Sequence, residues 1–168
     1  MPFTPFHLGP SLFFGLLFLS FLDFPTFLIA NVIVDIEPFL ILVFQLPYPL
    51  HGFFHSLLGG TLVAVPLALV MHKIRNKLTP LLSFFKIKQQ ISFKKILVAA
   101  LSGVYLHIVL DSRSYLDIQP FFPSSYNPFL STGFLAGLDS YIFCIWSFFG
   151  AIILYGAKLL LIWKNNLK

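Results

Sequence analysis

Charged residues are scarce in this sequence. Only 10% of its 168 residues are Asp, Glu, Lys or Arg, whereas 58% are hydrophobic, and the mean hydropathy is +0.89. Soluble domains carry about 25% charged residues, so a chain with this little charge cannot cover a globule with polar surface. The shortage excludes an ordinary soluble protein, and the long apolar stretches predict an integral membrane protein.

Cysteine is nearly absent as well. Cys144 is the single cysteine of the chain, which excludes both a disulfide framework and a metal site made of several thiolates. Because Cys144 lies in an apolar run, we expect it to be buried as a small hydrophobic side chain.

Basic residues are missing from the first 72 positions. Seven of the eleven Lys and Arg residues then fall between Lys73 and Lys95, and three more lie between Lys158 and Lys168. Cytoplasmic segments of membrane proteins carry an excess of Lys and Arg, so residues 78–92 are predicted to be a basic cytoplasmic linker and the C-terminus to be cytoplasmic. A basic stretch can also bind nucleic acid, but the membrane bias explains its position, and no nucleic acid partner is predicted.

The apolar runs predict an all-α helical bundle in one membrane-embedded domain, residues 1–168. Three runs are long enough for full spans: His51 to about Lys77, Phe93 to about Asp111, and Leu138 to Lys164. Two shorter runs, Leu8 to Leu22 and Thr26 to Val34, predict a short N-terminal helical pair, since 15 residues reach only about 22 Å of a bilayer core of about 30 Å. The alternative is one bent helix from Pro25 to about Leu46, which Pro38 opposes. The segment 113–137 contains three prolines and is predicted to be an outer loop.

Ionisable residues interrupt these runs. Ionisable side chains at membrane depth are costly, so they indicate a functional site. His51 and His55 are four residues apart, as are His107 and Asp111, and on a helix this spacing places both side chains on one face. If the basic linker is cytoplasmic, the topology brings seven residues to the outer face. They are His7, Asp35, Glu37, His51, His55, His107 and Asp111.

Four histidines and three carboxylates are the ligands that zinc, manganese or iron favour. We expect a divalent metal, zinc first, with manganese or iron as alternatives. Seven ligands exceed one tetrahedral shell and are enough for two metals about 4 Å apart, an arrangement that activates water and stabilises a phosphoryl transition state. Asp35 and Asp111 are the candidate catalytic groups that orient the water or act as base.

Simpler interpretations stand beside these. A lone histidine in an apolar run usually packs against a backbone carbonyl, which is how we interpret His72. Glu37 is either a ligand or an acceptor that orients a histidine. The remaining acids are interpreted as a helix cap (Asp23), a solvated loop residue (Asp117) and a helix N-terminal acid (Asp139). Arg113 either holds an anionic substrate or pairs with a carboxylate.

Four motifs, taken in chain order, resemble those of a known family. They are Thr4-Pro5-Phe6-His7, Val34-Asp35-Ile36-Glu37, His51-Gly52-Phe53-Phe54-His55-Ser56 and His107-Ile108-Val109-Leu110-Asp111. They resemble the motifs of the uncharacterised membrane-bound metal-dependent hydrolases, whose bacterial members include an SOS-induced inner-membrane protein, and the resemblance extends over most of the chain. The first ten residues look like those of archaeal members.

This resemblance implies metal ligands at His7, Asp35, His51, His55, His107 and Asp111. The family has been grouped with zinc-dependent phospholipase C and single-strand nuclease folds, which implies phosphodiester chemistry. The chain departs from the family pattern at Glu37, where the family often has Asp, and at Gly52, where it often has Arg.

The expected function is therefore a multi-pass cell-membrane hydrolase that uses metal-activated water on a phosphoester of a lipid or lipid-linked substrate. Membrane lipid is the expected partner, and the site is expected near the extracytoplasmic face. Two alternatives stay open. One is a metal or ion transporter that uses the same residues as a passage site, and the other is a structural membrane protein with a metal staple.

Overall fold

The structure is a computed structural model that describes residues 4–134 and 136–166, and this part of the chain is helical without strands. Its α-helices are α1 (Leu8–Leu17), α2 (Phe24–Ile33), α3 (Ile36–Phe44), α4 (Leu57–Ile74), α5 (Thr79–Phe84), α6 (Phe93–Ser112) and α7 (Leu138–Asn166). Short 3-10 segments lie at Thr4–His7, Phe53–His55 and Arg75–Leu78. The predicted all-α fold is confirmed.

Small side chains let the central helices approach closely. α6 packs between α2 and α4, and α1 packs between α2 and α7. The core between α2, α4 and α6 consists of Ala30, Val34, Ala64, Ala68, Met71, Ile96, Ala100, Val104 and Ile108. A Cβ on Gly103 would lie 2.6 Å from the Ala30 Cβ and 2.9 Å from the Phe27 carbonyl oxygen. Glycine at this position therefore permits the close contact of α6 with α2.

Four helical stretches are long and apolar enough to cross a membrane: Phe24–Phe44, Leu57–Phe84, Phe93–Ser112 and Leu138–Asn166. Their outward side chains are apolar too, since Leu62 is 58% exposed and Trp146 and Ile153 are each 70% exposed. An apolar surface of this extent suits lipid rather than water. The helical bundle is that of a membrane protein.

The N-terminal region combines features of both expected arrangements. α1 and α2, ten residues each, pack together as the predicted short pair. After a turn at Val34 and Asp35, however, the chain continues into α3, so that α2 and α3 together form a fourth candidate span. Pro38 gives a reason for the interruption, because it has no N–H to donate to the carbonyl of Val34.

The prediction that a helix begins at His51 is wrong. α4 begins at Leu57, because the Ser56 hydroxyl accepts a hydrogen bond from the Gly59 N–H at 2.9 Å and so caps the helix. His51 and His55 precede α4, and the 3-10 segment Phe53–His55 brings their rings to a centroid distance of 4.9 Å. The two imidazoles are thus neighbours, but not through an α-helical turn.

A buried ion pair closes the opposite end of the bundle. Asp23 and Arg75 are each 2% exposed, and Oδ2 of Asp23 lies 2.5 Å from Nε of Arg75. Asp23 also caps α2 through the Thr26 N–H, as predicted, so it is more than a cap. Gln89, in the basic linker, donates hydrogen bonds to the Leu19 and Leu22 carbonyls. The 18 residues of α4 separate this end from His55 by about 27 Å.

The two predicted connecting segments take different forms. The linker 78–92 contains the short helix α5 and then runs without helix to Ser92, which caps α6. Residues 113–134 form no helix, and the Pro120 carbonyl accepts a hydrogen bond from the Leu57 N–H at 2.9 Å. The Pro-rich loop thus packs against the start of α4, where the two histidines lie.

Candidate metal centre

Four ionisable residues from three parts of the chain meet at one end of the bundle. Asp35 comes from the turn after α2, His55 from the 3-10 segment before α4, and His107 and Asp111 from consecutive turns of α6. One ligand atom from each lies within 4.8 Å of the others. This group of two imidazoles and two carboxylates could hold a metal ion.

The separations within the group match those of a ligand shell. Nε2 of His107 lies 3.3 Å from Oδ2 of Asp111 and 3.4 Å from Oδ1 of Asp35. Nε2 of His55 lies 4.0 Å from the same oxygen of Asp35. Ligands bound tetrahedrally at about 2.1 Å from a zinc ion are about 3.4 Å apart. The spacing therefore leaves room for one ion among the four groups.

His7 completes the inner surface of the group. Its Nε2 lies 3.1 Å from Oδ1 of Asp111, and its ring stacks on that of His107 with centroids 4.3 Å apart. The side chains of His7, His55 and His107 are fully buried. Yet Nε2 of each, together with Oδ1 of Asp111, has no hydrogen-bond partner among the described residues.

Buried polar atoms without partners are rare, because leaving one unsatisfied costs about 1–3 kcal/mol. Here three imidazole nitrogens and a carboxylate oxygen of this kind lie at one end of the bundle, and Nε2 of His7 lies 3.1 Å from the Asp111 oxygen. Nitrogen and oxygen lone pairs directed at one point are the ligands that a divalent metal satisfies. The donor set therefore fits a metal, which supports the metal site expected from the sequence.

The other ring nitrogens of His107 and His55 have hydrogen-bond partners, whereas Nδ1 of His7 has none among the described residues. Nδ1 of His107 lies 2.8 Å from the Asn31 carbonyl oxygen, and Nδ1 of His55 lies 2.8 Å from Oε2 of Glu37. Both partners can only accept here, so Nδ1 carries a proton, and in the neutral imidazole Nε2 then keeps its lone pair for an ion. Burial lowers the pKa of the His55 imidazole, although its hydrogen bond to Glu37 acts in the opposite direction.

His51 borders the group without joining it. Its Nδ1 lies 3.0 Å from Oδ1 of Asp117, and its ring lies 4.2 Å from that of Tyr115. Of the seven residues expected as ligands, four form the group. His7 contacts Asp111, Glu37 contacts His55, and His51 lies beside the His55 ring. Within the described residues we find one such group, which gives no support to the expected pair of metals.

Three residues that shape the site were not predicted from the sequence to belong to it. Asp117, interpreted as solvated, binds both the ring and the backbone N–H of His51. The contact spans 66 residues through an irregular loop, so no local pattern signals it. Asn31 supplies a backbone carbonyl, which any residue has. Gly52 carries the clearest signal: a Cβ there would lie 2.6 Å from Oε1 of Glu37, so the absent side chain makes room for the carboxylate.

Other polar residues that the sequence singles out make their contacts outside the four-residue group. Arg113 pairs with Asp139, which decides between its two interpretations in favour of a carboxylate partner. His72 is exposed and packs edge-on against Phe93. Ser56 is occupied as a cap. Cys144 is buried, as predicted.

A groove of about 500 Å³ opens beside the centre. Apolar side chains of α3, of the segment before α4 and of the Pro-rich loop line most of it, and Glu37, His51 and Asp117 lie in its wall. Its size is that of a small-molecule site. The groove thus borders the centre through Glu37, whose carboxylate contacts His55.

Comparison of the chain with known protein families, with curated proteins and with solved structures finds no match.

Proposed function

We propose that this protein is a membrane-embedded, metal-dependent hydrolase that cleaves a phosphoester of a lipid or lipid-linked molecule. The observation that carries the proposal is the convergence of one ligand atom each from Asp35, His55, His107 and Asp111 within 4.8 Å of one another at one end of the bundle. Zinc suits these ligands, with manganese or iron as alternatives. The resemblance of the four motifs to membrane-bound metal-dependent hydrolases supports the same function.

A divalent cation supplies two things at such a site: it lowers the pKa of bound water to about 7, and it offsets charge on a phosphoryl group. The protein supplies position and a base. Asp35 suits the role of base, because its side chain is 12% exposed whereas that of Asp111 is 3% exposed between His7 and His107. Water oxygen bonds to phosphorus, and Asp35 accepts the water proton. The bond from phosphorus to the leaving oxygen then breaks, and that oxygen receives the proton.

The proposed location is the extracytoplasmic face of the cell membrane. Lys73 to Lys95 lie at the end of α4 and the start of α6, which is the end of the bundle opposite to the centre. The positive-inside bias places that end in the cytoplasm. The same bias places the C-terminal lysines there.

A transporter is the less favoured alternative. Transport needs polar groups that continue from the centre towards the other face. Below the centre the core consists of Ala, Val, Ile and Met side chains, and the Asp23–Arg75 pair beyond it is buried. An apolar core of this kind favours a site that works from one side.

Metal content and hydrolysis test the proposal together. We expect purified wild-type protein to contain about one zinc or manganese ion per chain. We expect His107→Ala to lose both the ion and the hydrolysis of bis(4-nitrophenyl) phosphate, because it removes a ligand at the middle of the group. His72→Ala is the matched control, since this histidine is exposed and distant from the centre.

Wild-type protein without stoichiometric metal after purification and reloading would remove the basis of the proposal. Equal hydrolysis by wild type and His107→Ala would assign the activity to a contaminant. Bound metal without hydrolysis of any phosphoester would leave a metal protein with a structural role.

A further inference from the structure

The groove beside the centre has one polar end and a long apolar remainder. Leu40, Leu46, Phe53, Phe54 and Phe122 line the apolar part, and each is between 37% and 43% exposed. The protein therefore leaves a concave apolar surface uncovered next to its candidate metal ligands. Burying such a surface is favourable for any apolar group that reaches it, by about 25 cal/mol per Å².

The polar end of the groove borders the metal centre through Glu37. Oε2 of Glu37 holds Nδ1 of His55, while Oε1 of the same carboxylate accepts a hydrogen bond from the Phe54 N–H at 3.2 Å. Glu37 thus belongs to both the groove wall and the support of a ligand. A molecule in the groove would lie within one side chain of the ion.

The charges along the groove restrict what can occupy it. Glu37 and Asp117 are acidic, and no Lys or Arg lines it among the described residues. The nearest arginine in sequence, Arg113, is paired with Asp139. An anionic head group would be repelled by these acids unless a cation held it. An apolar group can bind in the apolar part of the groove without a cation.

We propose that this groove binds the hydrocarbon chain of the substrate and presents the attached phosphoester to the metal centre. The inference rests on the proposed function and specifies its substrate as an amphiphile with one long apolar chain next to the scissile phosphate. The chain lies against α3 and the aromatic residues before α4, and binding of the phosphate requires the metal. The substrate then enters sideways from the lipid.

Photo-crosslinking in lipid nanodiscs tests the binding directly. The probe is hexadecyl phosphate with a diazirine at the far end of its chain, added to metal-loaded protein. We expect crosslinks in residues 40–54 and 119–122, reduced at least about fivefold by excess hexadecyl phosphate or by chelation of the metal. Hexadecanol, which has the chain without the phosphate, should compete much less.

Two substitutions on α3 form a matched pair. Leu40→Trp fills the groove, whereas Leu42→Trp adds the same ring on the same helix, at a 54% exposed position that does not line it. We expect Leu40→Trp to lower kcat/KM for a hexadecyl phosphoester by about tenfold or more. Hydrolysis of bis(4-nitrophenyl) phosphate should stay within about twofold, and Leu42→Trp should resemble wild type in both assays.

The outcomes separate the two proposals. Crosslinks spread evenly over the lipid-facing sides of α4, α6 and α7 would mean ordinary bilayer contact and overturn the groove assignment, as would crosslinks that join two copies of the chain. Hydrolysis of the short ester without any groove crosslink would also overturn it and leave the hydrolase proposal standing. Metal-dependent groove crosslinks without hydrolysis of either ester would leave a binding site and refute the enzyme. The wild-type crosslinking decides even if Leu40→Trp does not fold.

Discussion

Glu37 offers the sharpest test of how the centre is built, because it contacts a ligand without belonging to the four-residue group. Its Oε2 accepts a hydrogen bond from Nδ1 of His55 at 2.8 Å, and its Oε1 accepts one from the Phe54 N–H at 3.2 Å. These contacts fix the ring orientation and the tautomer of His55. A carboxylate in this position also makes the opposite nitrogen a stronger ligand.

Glu37→Gln keeps the size of the side chain and removes its charge. Its amide oxygen can still accept from one of the two donors, but the NH₂ group cannot accept from the other. Loss of such a supporting contact lowers metal affinity by about 10- to 100-fold. At about 1.4 kcal/mol for each factor of ten, that corresponds to about 1.4–2.8 kcal/mol of binding free energy.

Competition for zinc against a chromophoric chelator, in detergent at pH 7.5, measures this change. Asp117→Asn is the matched control, since it alters the equivalent contact on His51, which lies outside the group. We expect the Glu37 variant to lose clearly more affinity than the Asp117 variant. The reasoning would be refuted if Glu37→Gln bound zinc as tightly as wild type, or if the Asp117 variant lost more.

Three further predictions concern the support of the centre, the buried ion pair at the opposite end of the bundle and the packing of α6 on α2. Gly52→Ala should displace the Glu37 carboxylate and weaken zinc binding in the same competition assay, whereas unchanged affinity would mean that the carboxylate is not needed where it lies. Arg75→Met should lower the free energy of unfolding by about 3–5 kcal/mol, because it leaves Asp23 buried without its partner. Adding Asp23→Asn should restore part of that loss in a double-mutant cycle of denaturation in detergent, and additive losses would contradict the pairing. Gly103→Ala should cost about 1–3 kcal/mol through overpacking between α6 and α2, and a thermal midpoint equal to that of wild type would argue against close contact.

The contacts that sequence alone anticipates are those set within one helix. His107 and Asp111 meet because a spacing of four on α6 places them one turn apart, whatever the rest of the fold does. The charge bias and the lengths of the apolar runs bring Asp35 and His55 to the same end. Those two kinds of information bring the four residues of the group to one end, but they do not separate them from His7, Glu37 and His51.

Contacts made by turns and loops cannot be predicted from helical spacing or from charge bias. The spacing of His51 and His55 looks helical, but Ser56 caps α4 after both of them. Their closeness therefore comes from a 3-10 turn. The partner of His51, Asp117, lies in a loop whose path depends on its packing against α4. The role of Arg75 could not be predicted for a different reason. In the sequence it belongs to a basic stretch that the positive-inside bias explains. In the structure its side chain is 2% exposed and pairs with Asp23.

Charge balance gives a reason for a divalent ion at this end of the bundle. Asp35 and Asp111 contribute two negative charges to a buried site, and neutral imidazoles contribute none. Uncompensated charges in such surroundings are strongly unfavourable. Two imidazolium ions would also balance them through ion pairs, and Nε2 of His107 lies 3.3 Å from Oδ2 of Asp111 and 3.4 Å from Oδ1 of Asp35. Nε2 of His55 is farther from its carboxylate, at 4.0 Å from Oδ1 of Asp35. A cation of charge two satisfies the carboxylates and the imidazole lone pairs together, which a monovalent ion would do only in part.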